Sequence, residues 1–319
     1  MSKIITTDNN QQYQTANGWK TFGAIYAGSI ASSAVTGISQ PIALACMNKM
    51  QKLSQNCDTV QLQNSINNTF NNSILPRKGV EFIEVAPPPE SSNLIENIRQ
   101  LLTKEKTLEE LHPKNPKLVK VFENATPKYI RKIPFFKDAY QELLISTMEN
   151  GNNACYLPKG KKVIVNTQNL GLSAFHEMGH AINHNCTKFW KIMQKSRTPM
   201  KRLGGLFALT ALFKRKKLEG EEPKNIFDKA TTFVKNNVGK LVTLTFIPMV
   251  AEELMASRRG NKMAAQVLPK DMLKKVKMSN RLGAVTYITA AVVSGAGAYL
   301  ASKVRDNIAK PKLITNNTQ

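Results

Sequence analysis

Acidic side chains are scarce in this chain: Asp and Glu number 22 against 45 Lys and Arg, leaving a net charge of +23. An acidic or near-neutral surface is excluded, and the partners favoured are phosphate-bearing ones. Cysteines are few as well. Cys46, Cys57, Cys155 and Cys186 are widely spaced and make no CxxC, which argues against a disulfide scaffold and fits a reducing compartment. There is no internal repeat. A cleavable signal peptide is not expected, because the first apolar stretch begins only at Thr21 and little positive charge precedes it. What is present is enough apolar material for a core: a hydrophobic fraction of 42% excludes a wholly disordered chain.

The positive charge is concentrated. Thr187 to Leu218 carries ten basic residues and no acid; Arg258 to Arg281 carries eight against Asp271. Together they hold 17 of the 23 net charges. Such clusters suit nucleic acid or anionic lipid, and their neighbours favour lipid. Leu282 to Ser302 is an uncharged run of 21 residues. As a helix it spans ~32 Å, about the thickness of a hydrocarbon core. Small residues recur along it at helical spacing (Ala290/Ser294, Ala291/Gly295, Gly297/Ala301), as in helices that pack closely in lipid. Thr21 to Asn48 is also uncharged but rich in Ser, Ala and Gly, with Pro41 inside, and is the weaker candidate span. Leu203–Phe213 and Leu241–Ala251 are uncharged runs of 11 residues each. At ~17 Å as helices, each is too short to cross a bilayer alone and reads either as a core helix or as one that dips into the membrane surface. The excess of basic residues before Leu282 over those after Ser302 orients the Arg258 side toward the cytosol.

Along the chain, residues 1–20 read as a loose polar segment, and 1–50 as that segment plus a possible membrane helix. Residues 51–91, rich in Asn, Gln and Ser and ending in Pro87-Pro88-Pro89, read as a linker. From Ser92 the apolar residues Leu94, Ile95, Ile98, Leu101 and Leu102 recur at helical steps. A further helix is expected over 139–148, a short strand over 162–167 from Val163-Ile164-Val165, and a helix over 171–184. Residues 266–319 read as a basic segment, the span 282–302 and a short tail. The expected fold is mainly α with a small β-sheet, combining the helix over 171–184 with membrane-associated helices.

The chemistry lies in that helix. Only four histidines occur, and three fall within nine residues: His176, His180 and His184. His176, Glu177 and His180 form HExxH. Residues four apart share a helix face, so both imidazoles can reach one metal ion, while Glu177 lies ~100° round, placed to act as a base rather than a ligand. Zn²⁺ with three protein ligands and one open position is the expected arrangement. The metzincin extension is excluded, since Asn183 and Cys186 stand where it needs Gly and His. His184, turned ~80° from His176, is read as a supporting or exposed residue. The third ligand is expected from Val250-Ala251-Glu252-Glu253-Leu254-Met255-Ala256-Ser257. An acid in an apolar helix needs a partner, and a metal is one. Glu253 has the small Ala256 and Ser257 on its own side, which would let this helix approach the HExxH helix, and Ser257 could orient a ligand. Glu252 is the second candidate, otherwise an exposed or capping acid near Pro248. Residues 92–265 thus form the expected metallopeptidase domain.

The segments Phe175–Asn183 (FHEMGHAIN) and Glu253–Arg259 (ELMASRR) resemble the neutral zinc metallopeptidases of bacterial membranes. Those are similar in turn to the heat-shock membrane protease and the CAAX-prenyl endoprotease, whose second motif is ExxAD. The resemblance implies a gluzincin-type site: zinc on His176, His180 and Glu253, with Glu177 as general base. It also implies a protein or peptide substrate and a place in the bacterial cytoplasmic membrane, with the active site on the cytosolic side. In such enzymes an edge strand beside the metal helix holds the substrate backbone; strand 162–167 is the candidate here, with an ordinary sheet strand as the other reading. Tyr156, Arg258 and Arg259 could stabilise the oxyanion, but each reads first as a structural residue and none is counted as catalytic. Anionic membrane lipid is an expected partner and nucleic acid is not. The alternatives are a catalytically inactive metal-binding membrane scaffold and a basic nucleic-acid-binding protein.

Overall fold

A computed structural model describes residues 2–7, 11–90 and 92–314. The chain is mainly helical and folds as two compact units built from discontinuous segments: Met1–Leu44, Lys195–Val250 and Thr286–Gln319 form the first, Ala45–Gln194 and Ala251–Val285 the second. Fourteen helices occur among the described residues: α1 Gly18–Gly37, α2 Ser39–Gln55, α3 Thr59–Asn72, α4 Leu94–Leu102, α5 Leu108–Leu111, α6 Pro116–Ala125, α7 Lys128–Arg131, α8 Pro134–Glu149, α9 Thr167–Leu170, α10 Ala174–Cys186, α11 Lys188–Phe213, α12 Ile226–Leu244, α13 Ile247–Val267 and α14 Lys270–Ile308. Two three-stranded sheets accompany them. One has the order β1-β2-β6, from Ile4–Thr6, Gln12–Gln14 and Lys312–Leu313; the other has the order β3-β5-β4, from Glu81–Glu84, Lys162–Val165 and Cys155–Leu157.

The second sheet organises the second unit. β3 runs parallel to β5, and β4 pairs antiparallel with it. Successive side chains of a strand point to opposite faces, and β5 shows the consequence. Val163 and Val165 enter one core with Leu62, Ile66 and Phe70 of α3, Phe175 and Met178 of α10, and Ala264 and Met272. Ile164 enters another with Ile83, Leu101, Leu118, Phe122 and Ile145. A strand buried on both faces must be apolar throughout, which accounts for the Val-Ile-Val run.

Several expectations are corrected. Residues 51–91 are not a linker: they hold α3, capped by Asp58, and β3. Leu62, Ile66 and Phe70 give α3 an apolar stripe at four-residue spacing, overlooked among Asn and Gln. The 92–265 domain is replaced by the discontinuous second unit, because the chain leaves it after Gln194 and re-enters at Ala251. Residues 1–20 contain β1 and β2, which pair with each other, and β2 pairs with β6 from the far end of the chain. Strand 162–167 ends at Val165 and is the central strand, so both of its edges are occupied; β4 and β3 are the edges. The basic segment after residue 266 is helical, and the expected span 282–302 lies within the longer α14. Two stretches, Gly18–Gln55 and Lys270–Ile308, are long and apolar enough to cross a membrane.

Candidate metal centre

The site is made by α10 crossing α13. Phe175, Met178 and Ala181 are fully buried in the core beside β5 and α3. Removing each of the two large side chains from water stabilises by ~1.5–3 kcal/mol, which fixes the rotation of α10 about its axis. His176, His180 and Asn183, on another face, then look toward α13. Two glycines let the helix backbones touch. A Cβ on Gly179 would overlap the carbonyl oxygen of Ala256, and one on Gly260 would lie 2.6 Å from that of Phe175. Ala256 and Ser257 contribute the small surface that the sequence suggested.

This approach brings three ligand-type atoms into a triangle. His176 Nε2 and His180 Nε2 are 2.9 Å apart, and Glu253 Oε2 lies 3.1 Å from the first and 3.2 Å from the second. Potential ligand atoms of these three residues all lie within 4.8 Å of one another, so the group could hold a metal ion. Ligand atoms around a tetrahedral ion with bonds of ~2.0–2.2 Å are themselves roughly 3.4 Å apart, so the triangle needs only slight widening to enclose one.

The outer partners of the rings sharpen the argument. His180 Nδ1 lies 2.8 Å from Glu252 Oε1, and a carboxylate facing a ring nitrogen accepts a hydrogen bond from its N–H. In the neutral ring this leaves a lone pair on Nε2, aimed into the triangle. Ser257 Oγ, 3.1 Å from His176 Nδ1, can accept from that ring likewise. One proton cannot serve all three edges of such a triangle, whereas one cation can. The electrostatics express the same demand for positive charge. Burial alone would push the His180 pKa down, but hydrogen bonds to Glu252 and Glu253 lift it to about 10. Burial would raise Glu253, yet its hydrogen bonds to His176 and His180 hold it well below the usual carboxylate range.

Glu177 stands apart from the triangle. It is buried, and burial pushes its carboxyl up, against the pull of the two imidazoles and of the Tyr156 backbone amide. A carboxyl raised in this way is suited to taking and returning a proton.

Glu252 is neither exposed nor a cap. It is fully buried, holds His180 from outside, and accepts from Asn183 Nδ2 at 2.9 Å. Asn183 stands three residues after His180 on the same face, and that spacing is its signal in the sequence. His184 is outside the triangle, with Nδ1 2.8 Å from Gln194 Oε1 and its ring 5.9 Å from that of Tyr156. The three candidate oxyanion groups lead elsewhere. The Tyr156 hydroxyl accepts from Asn185, Arg259 donates to Thr187, and Arg258 is exposed. No protein-family model, curated protein or solved structure matches this chain, so the resemblance stated above stands on its two motifs.

Proposed function

We propose that the chain is a membrane-associated zinc-dependent endopeptidase. The observation that carries this reading is the triangle of His176 Nε2, His180 Nε2 and Glu253 Oε2, with Glu252 and Ser257 engaging the other ring nitrogens. Two imidazoles and a carboxylate from two helices are a donor set typical of catalytic zinc, which keeps a fourth position for water or substrate. When bound there, zinc would polarise a peptide carbonyl and make water more acidic. Glu177 would take the proton of the attacking water and deliver it to the departing amine. β4 would present its outer edge to an extended peptide; its Tyr156 amide reaches Glu177, so substrate and base would meet on one side of α10. The membrane half of the reading is supported by the two long apolar helical stretches and the basic clusters that flank them, whose partner would be anionic lipid.

Glu177→Gln separates this reading from an inactive metal-binding scaffold. The purified chain, loaded with zinc, should cleave an unfolded protein substrate, and the variant should bind the metal equally and not cleave. Wild-type protein that holds the metal and cleaves nothing would favour the scaffold.

A further inference from the structure

Among the described residues, only α14 and the α1–α2 stretch are long and apolar enough by composition to cross a membrane. The burial pattern of the first unit includes two more helices. Its four helical segments, α1, the second half of α11, α12 and the second half of α14, pack through small residues. Gly28 faces the Ala301 carbonyl and Leu212; Gly297 faces Ser32 and Thr36. Gly239 and Gly295 bring α12 against α14, and Gly204 brings α11 against Thr245. The buried cluster there is Ala211, Val238, Val242 and Ala298. The large side chains point outward instead: Phe22, Tyr26, Leu206, Leu209, Phe233 and Val292 are each more than half exposed. A helical bundle in water buries its large apolar residues and exposes polar ones. Here the order is reversed, as it is where lipid is the solvent and close backbone packing replaces hydrophobic burial.

Hydroxyls agree with this. Ser29, Thr210, Thr231 and Thr243 donate to the carbonyls of Ile25, Leu206, Phe227 and Gly239 in their own helices, so none of these hydroxyl protons needs water. The ends are charged. Arg305 donates to the Phe213 carbonyl and the Lys216 amide to Asp306, which places Lys214–Lys217 and Arg305 at one end. Arg197 lies over the Tyr287 ring, which places it at the other. Between them, Leu203–Phe213 carries no charge, and residues 230–251 carry Lys240 and the buried Lys235, whose ammonium pairs with Asp306. The ~17 Å of uncharged α11 falls short of a ~30 Å hydrocarbon core, but long Lys and Arg stems at both ends reach several ångströms toward the headgroups.

We infer that α11 and α12 lie in the bilayer with α1 and α14, so that the first unit is a bundle of four membrane-embedded helices with acyl chains as the occupant of its whole outer face. The inference rests on the membrane half of the proposed function and is independent of the metal centre. The test uses the full chain with Cys186→Ser, carrying one nitroxide at a time on Phe22→Cys, Leu209→Cys, Phe233→Cys and Val292→Cys. Each is reconstituted in phosphatidylcholine–phosphatidylglycerol vesicles after its helicity is shown to be unchanged. Relaxation by oxygen should exceed relaxation by a water-soluble nickel chelate at all four positions. Chelate dominance at 209 and 233 alone would overturn the four-helix bundle and leave two spans. Chelate dominance at all four would remove the membrane reading as well. Protection from both reagents at 209 and 233 would show a protein partner or second copy there, and would overturn lipid as the occupant.

Discussion

The second unit holds two buried clusters of histidine and glutamate, and they differ in one respect. In the first, His112 is wholly buried between two acids, with Nε2 2.5 Å from Glu142 Oε2 and Nδ1 2.9 Å from Glu149 Oε2. The remaining carboxylate oxygens accept from Asn97 and Ser146 on one side and from Asn115 on the other. Each ring nitrogen faces an acid and each acid oxygen faces a donor. Burial would lower the His112 pKa, but the two glutamates lift it to about 9, as glutamates lift His180 in the second cluster. In the second cluster two rings turn the same nitrogen toward one carboxylate oxygen. The first cluster is a closed structural network; the second is a group that could hold a metal ion. Buried histidines and glutamates therefore indicate function only when their lone pairs converge.

The sharpest way to break this contrast is to change one residue in each cluster and read two properties. Glu177→Gln should lower peptide hydrolysis by about 10²–10⁴-fold, the share a positioned base contributes, with folding unchanged. Glu142→Ala should cost about 3–5 kcal/mol of unfolding free energy, because it strands a buried charged ring. The protein that still folds should keep its metal, as read by denaturant titration beside metal analysis. Glu252→Gln should weaken metal binding by about 10–100-fold, because it loosens the orientation of His180 without removing a ligand. A competition titration with a chelator measures it.

The smallest effect expected is on pH. The folded pKa of His112 is raised above 6.5, so its contribution is complete below that value and is lost as the pH climbs through about 9. The Glu142 carboxyl is lowered: burial opposes this, but its bonds to His112 and Asn97 prevail. Its contribution is present above the usual carboxylate range and is lost on acidification. The thermal midpoint of Glu177→Gln, measured at fixed ionic strength, should be highest between these limits and fall beyond either by an amount equivalent to about 1–3 kcal/mol, and less in His112→Gln.

The sequence made the second cluster readable and hid the first. Two histidines four residues apart define a face, and Ala256-Ser257 after Glu253 marks a side where another helix can come close. The rank of Glu252 and Glu253 was legible only in part. They differ by ~100° of helix rotation, and the depth of each is decided by packing between α10 and α13. The His112 network was illegible because its members come from α4, α8 and the residues around α5 and α6, with no local spacing to join them. The place of strand 162–165 in the centre of its sheet depends on β3, which arrives from about 80 residues earlier, inside a segment whose polar composition imitates a linker.

Metal content per chain is the direct test of the central claim. After metal-replete purification and gel filtration, wild-type protein should carry one equivalent of zinc, and Glu177→Gln the same. Glu253→Ala, His176→Ala and His180→Ala should carry almost none while remaining folded. Metal-free wild-type protein, or full occupancy in Glu253→Ala, would contradict the account.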